Sequence, residues 1–258
     1  MLPLALGFFV TALLYAAVGF GGGSTYAALL ALSGLDYRIL PSVALLCNLV
    51  VVAGGTVRFA AAGIVPWRAA APLIALGAPA AFAGALTPIG EPAFLATLGC
   101  ALLLSGVLLL FVPAGETGGN GPSVVAPPRL HWAIAAASVP IGYLAGLVGI
   151  GGGIFLAPLL HLVRWAPARQ VAATASVFIL VNSVFGLAGQ VMKGGADRLA
   201  AAATAGLPLM LAVAVGGQIG SLLAHRRLRP GLIRRLTAVL VLAVAVRLLW
   251  QVVEPGAA

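Results

Sequence analysis

Charge is what this sequence has least of. Only 7% of its 258 residues are Asp, Glu, Lys or Arg, where a soluble domain carries roughly 25%. So few charges cannot wet the surface of a soluble protein this long, and 62% of the residues are hydrophobic. Most of the exterior must face lipid, so the chain reads as an all-α polytopic membrane protein. Acids are the scarcest charges. Asp36, Glu91, Glu116, Asp197 and Glu254 all fall in loops or at the ends of apolar runs. No carboxylate at midspan is therefore available for a proton relay or a cation site. Cys47 and Cys100 share no metal-ligand spacing and read as small buried hydrophobes. His131, His161 and His225 sit at run ends, without the mutual spacing of a metal site or a triad.

Several motifs are missing as well. No Lys follows either glycine cluster, which excludes a Walker A loop, and Ser24 and Ile154 occupy the last position of a would-be G-x-G-x-x-G. No cofactor is expected. An intramembrane protease would need G-x-S-G or membrane Asp residues, and "ALSG" at 31–34 lacks the first glycine. The N-terminus has neither a charged n-region nor an A-x-A site, so it reads as the first membrane segment. The net charge of +9 is scattered through short gaps. Its densest part, "HRRLRPGLIRR" from His225 to Arg235, fits a cytoplasmic loop better than a nucleic-acid site.

The apolar runs number eight, at 2–33, 39–61, 68–88, 93–112, 131–163, 170–192, 199–223 and 232–253. A membrane helix needs about 20 residues. As single helices, the first and fifth runs would be about 50 Å long, and each has a glycine cluster near its middle. "GFGGGSTYAALLAL" at Gly19 is matched by "GIGGGIFLAPLLHL" at Gly149. The echo continues with "SVALLCN" ending at Asn48 and "SVFILVN" ending at Asn182, then with Pro72 and Gly84 opposite Pro208 and Gly220. Two four-span repeats are thus expected, 1–112 and 131–258, joined by a Gly/Pro-rich linker at 113–130.

Topology stays open at this level. If every run crosses, the halves are parallel. Arg38, Arg164 and Arg169 then share one side with the basic cluster, while Arg58, Arg68, Arg129, Lys193, Arg198 and Arg247 take the other. The first side would be cytoplasmic, with both termini outside. If the glycine-broken runs fold back instead, each half crosses three times and the repeats invert.

Unwinding a helix in a membrane is tolerated only where protein or a cavity covers the exposed backbone. The half-helix that begins after a break presents free N–H groups and the positive end of its dipole. Two breaks in corresponding places point to a midplane anion site built from Gly19, Gly21, Gly22, Gly23 and Ser24 with Gly149, Gly151, Gly152 and Gly153. Asn48 and Asn182, with Thr174 and Ser176, are the polar residues expected to line it or to join helices. Arg58 is expected to snorkel to headgroups. Gln190 and Gln218 are expected to bond between helices.

The duplicated G-x-G-G-G cluster, the "APLL" after its second copy and the T-x-S…N run resemble the TauE/SafE sulfite exporter family across essentially the whole chain. The resemblance implies a permease in the plasma (inner) membrane for sulfite, thiosulfate, sulfonates or other organic anions. It also places Pro158 among the core residues. Ala28 stands opposite Pro158, and "LPSVALLCN" is looser than "ATASVFILVN", so the first half-site is expected to supply shape more than polar contacts. An inside-negative potential contributes about 2.3 kcal/mol per charge per 100 mV toward anion exit. Voltage-favoured export needs no coupled ion. The alternatives are a coupled importer of the same anions and a non-transporting membrane scaffold.

Overall fold

A computed structural model describes residues 2–18, 21–111, 128–223 and 230–253. Among them there are nine helices and no strand: α1 (Leu2–Val18), α2 (Gly23–Leu32), α3 (Leu40–Ala61), α4 (Trp67–Leu86), α5 (Glu91–Phe111), α6 (Pro128–Val148), α7 (Gly153–Leu162), α8 (Ala168–Leu223) and α9 (Pro230–Val253). Five of these, α3, α4, α5, α6 and α8, hold stretches long and apolar enough to cross a membrane. Large apolar side chains such as Leu6, Val57, Leu104, Leu211 and Val246 point outward, as a lipid-facing surface requires. The 113–130 linker lies almost wholly outside the described residues.

The first and fifth apolar runs are not single rods. Phe8 of α1 stacks on Tyr26 of α2 with ring centroids 4.8 Å apart. The Tyr15 and Thr25 hydroxyls share a hydrogen bond of 3.1 Å, and a methyl added to Gly7 would meet Leu29 at 3.2 Å. Positions that rise along α1 fall along α2, so α2 runs back beside α1. The same holds for α6 and α7. Ile141 and Ala145 lie against Gly152, while near the other end Trp165 Nε1 donates to His131 Nδ1 at 3.4 Å. Each pair is therefore a helical hairpin, with Gly22 and Gly152 at the starts of the returning helices.

α8 is likewise bent, at Gly195 (φ 78°, ψ 172°), and its two arms clasp α3. Leu45 of α3 faces Gly186 on the first arm, while Val43 faces Gly206 and Val51 faces Gly217 on the second. The second arm thus runs parallel to α3, and the first runs against it. Close glycine-mediated crossings fix the remaining directions. A methyl on Gly216 would strike the Phe9 carbonyl and one on Gly220 the Leu13 carbonyl, so α1 is parallel to the second arm. Methyls on Gly142 and Gly146 would strike the carbonyls of Gly77 and Ala81, so α6 is parallel to α4. Small residues let these backbones approach where lipid offers no hydrophobic drive for association. α1 and α6, the leading helices of the two hairpins, consequently point in opposite directions.

This architecture corrects the division of charge made on eight crossings. That division set Arg38 opposite Lys193 and Arg198, yet all three line one cavity at one end of the bundle. The reason is that α2 runs back beside α1 and α7 beside α6. Cys47 is buried as expected, but Cys100 is exposed on the outward face of α5. An apolar surrounding makes both positions equivalent for a small hydrophobe.

Candidate functional site at the hairpin tips

The returning helix of each hairpin starts the same way. Gly22 caps α2 at φ 76°, ψ 8°, and Gly152 caps α7 at φ 83°, ψ −14°. This left-handed region costs other residues roughly 1–2 kcal/mol. No side chain caps either helix, so their first-turn N–H groups keep capacity for another acceptor.

The two tips meet. A methyl on Gly23 would strike the Ile150 carbonyl of the other hairpin and come within 2.6 Å of Asn48 Nδ2 and 2.7 Å of Oδ1. The same Asn48 is 3.6 Å from a methyl on Gly21 and 2.9 Å from one on Gly151. Ile179 of α8 adjoins Gly21, Gly151 and Gly153, completing an apolar wall opposite the amide. Gly149 is wedged against Pro41 at the start of α3, where a methyl would lie 2.6 Å from its Cα. Asn48 therefore sits where both glycine clusters converge.

The interior around this point is polar, neutral and poorly partnered. Among the described residues, Ser24 Oγ, Thr174 Oγ1, Ser183 Oγ and both amide atoms of Asn48 and Asn182 are buried with no hydrogen-bond partner. Leaving such groups unpaired costs about 1–3 kcal/mol each, so several together call for a functional reason. Tyr26 OH and Thr56 Oγ1 are unpaired as well. Ser176 is buried on the same helix as Thr174.

Not every sequence-predicted residue reaches the tips. Gly21, Gly22, Gly23, Gly151, Gly152 and Gly153 do, with Asn48; Gly19 lies outside the described residues. Ser24 follows Gly23 into the first turn of α2. Asn182 is buried, but the side chain beside Gly151 is its neighbour Ser183, 3.3 Å from a methyl placed there. One residue along a helix turns the side chain by about 100°, so the repeat alignment, which pairs Asn48 with Asn182, pointed past Ser183. The periodic signal was present all the same, since Ile179 and Ser183 are four apart and share a face.

Outside the tips, Gln190 Nε2 donates to the Gly146 carbonyl of α6 at 3.2 Å, as expected of an interhelical bond. Arg58 is exposed near the end of α3, as snorkelling requires. The charged residues that sequence reading left scattered, Arg38, Lys193 and Arg198, gather in a cavity beside the second hairpin.

An apolar helical exterior wrapped around broken helices and a buried polar centre defines a multi-pass membrane transporter. The sequence matches the family described as Sulfite exporter TauE/SafE over residues 4–248. It is 37% identical over 252 residues to the probable membrane transporter protein y4hK of Sinorhizobium fredii, covering 96% of this chain and 97% of that one. It is 27% identical over 265 residues to the probable membrane transporter protein MamO of Paramagnetospirillum magneticum, covering 90% of this chain but 41% of MamO. No solved structure matches. The chain belongs to the Sulfite exporter TauE/SafE family, and it is a transporter rather than an enzyme.

Proposed function

We propose that this protein is a plasma-membrane permease that passes small sulfur-containing or organic anions, of the sulfite, thiosulfate and sulfonate class, between its two hairpin tips. The observation that carries this reading is the convergence of both glycine clusters on Asn48. Uncapped helix starts, an amide and buried hydroxyls offer donors to an oxyanion without a fixed counter-charge. A permanent cation there would hold a dianion too tightly to release it.

In this reading the eight runs form two inverted repeats with three crossings each, and the hairpins enter and return. The matched crossings support it, because Gly84 on Tyr143 and Gly220 on Leu13 pair corresponding positions of the two halves. The orientation follows from counting charge along that path. Arg38, Lys193, Arg198 and Arg247 fall on one side, and the other ten of the 14 Lys and Arg residues fall on the opposite one. The positive-inside rule puts the ten in the cytoplasm and both termini outside. Four against ten is a far clearer bias than the eight-crossing count allowed.

Export of a dianion would then be driven by the membrane potential, at about 2.3 kcal/mol per charge per 100 mV. The test is flux of sulfite and a sulfonate from proteoliposomes under both voltage polarities. Flux should follow the imposed potential, persist without a proton gradient, and vanish in Gly22→Leu and Gly152→Leu. Flux that ignores voltage and requires a proton gradient would support the coupled importer instead. Wild-type flux in both glycine variants would place the path away from the hairpin tips, and flux no greater than in protein-free liposomes would leave only a scaffold.

A further inference from the structure

The turn after α2, the α4–α5 turn and the bend at Gly195 come from distant parts of the sequence, yet they enclose one cavity of about 170 Å³. One part of its lining is cationic, with Arg38, Lys193 and Arg198, and no carboxylate lines it. Asp36 and Glu91 lie close enough to act on the Arg38 charge, but neither enters the lining. Asp36 accepts the Arg38 backbone N–H at 2.9 Å, and Asp197 is not part of the lining either. Lys193 has only a neutral partner, the Thr87 carbonyl at 3.4 Å. The remainder of the lining is largely apolar, including Ile89 and Phe94.

Size and polarity together select a ligand. A cavity of about 150 Å³ with an apolar lining holds a benzene ring. A bare sulfite could satisfy the cations but would leave the apolar part of the lining untouched. An anion with a carboxylate or sulfonate head and an apolar body of about one ring would use both. The cavity also adjoins the second hairpin, because Leu147 in the last turn of α6 lines it, and so does Pro41, against which Gly149 is wedged.

We infer that this cavity is a second anion site, at the outer mouth of the path, that holds small organic sulfonates or carboxylates beside the α6–α7 hairpin. Its outward placement rests on the topology proposed above; its ligand chemistry does not. The full chain in detergent micelles is titrated calorimetrically with benzenesulfonate, and with neutral benzenesulfonamide as competitor. Benzenesulfonate should bind and the sulfonamide should not displace it. Lys193→Gln and Arg198→Gln should each weaken binding about tenfold, the scale of one charge-assisted hydrogen bond, and Arg198→Lys should restore most of it. Phe94→Ala should weaken benzenesulfonate while leaving sulfite unchanged.

Undiminished benzenesulfonate affinity in a folded Lys193→Gln/Arg198→Gln double variant would overturn the site. Should that variant not fold, Arg38→Cys in a Cys100→Ser background gives a second reading. Benzenesulfonate should shield the new thiol from a membrane-impermeant maleimide applied to intact cells, and labelling unaffected by it would equally overturn the site. The two readings fail separately. Asn48→Ala should abolish flux yet leave benzenesulfonate binding intact, so wild-type flux in that variant counts against the hairpin-tip site alone.

Discussion

The two hairpin tips share a sequence pattern and a capping geometry, but they do different things in the packed molecule. At the first tip, Gly23 is pressed between backbone and amide, the Ile150 carbonyl on one side and Asn48 on the other. At the second, Gly153 meets the flexible end of Ile179, while Gly149 takes the close backbone approach against Pro41. Asn48 lies beside glycines of both clusters, and Ser183 lies beside Gly151. The sequence comparison had suggested a first half that supplies shape and a second half that supplies polar contacts. At the tips, polar side chains come from both halves, Asn48 from the first and Ser183 from the second. Duplicated sequence therefore yields matching helix caps without matching surroundings, because each tip is completed by the other hairpin.

That asymmetry can be broken by substitution. The largest effect is expected of Gly23→Ala, whose methyl would strike a carbonyl that cannot swing aside. It should lower unfolding free energy in detergent by about 3 kcal/mol, the upper end of the overpacking range. Gly153→Ala meets only a movable side chain and should lose about 1 kcal/mol. Equal losses at the two positions would remove the distinction.

The next largest contrast concerns flux. Asn48→Leu should reduce anion flux about a hundredfold, the scale of losing a charge-assisted hydrogen bond of about 3 kcal/mol. Asn182→Leu should act several-fold less. Because neither amide has a partner among the described residues, both variants should unfold no more readily than wild type. A marked loss of stability in either would show that the amide holds helices together rather than serving the anion.

The smallest expected difference is between Gly22→Ala and Gly152→Ala. Both residues cap a helix in the left-handed region, so each substitution should cost about 1–2 kcal/mol and the two should agree within error. A large gap between them in a chemical unfolding series would mean that the capping geometry is not shared. Ser183→Ala sharpens the site from the other side. It should lower flux more than Thr174→Ala, since Ser183 is among the nearest neighbours of Gly151.

Much of this was legible beforehand. The want of charge dictated lipid, and the apolar runs announced an all-helical fold. The Gln190 bond to α6 and the exposure of Arg58 followed from single residue types in apolar surroundings. Ser183 was missed because a repeat alignment compares positions along the chain, whereas the tip selects a helix face. The Arg38, Lys193 and Arg198 cavity was missed because its parts lie over 150 residues apart, and because direction of travel cannot be read from hydropathy.

By itself, then, the sequence determined that this chain is a helical membrane protein of the TauE/SafE family with two overlong, glycine-clustered apolar runs. Those conclusions need only composition, run length and local pattern, which act within a few turns of chain. Only the tertiary structure decided that these runs fold back, that their tips meet at Asn48, and that three scattered cations share one cavity. Each of these depends on which helix lies beside which and in what direction. That is settled by close glycine crossings between distant segments, where the absence of a side chain lets one backbone rest on another.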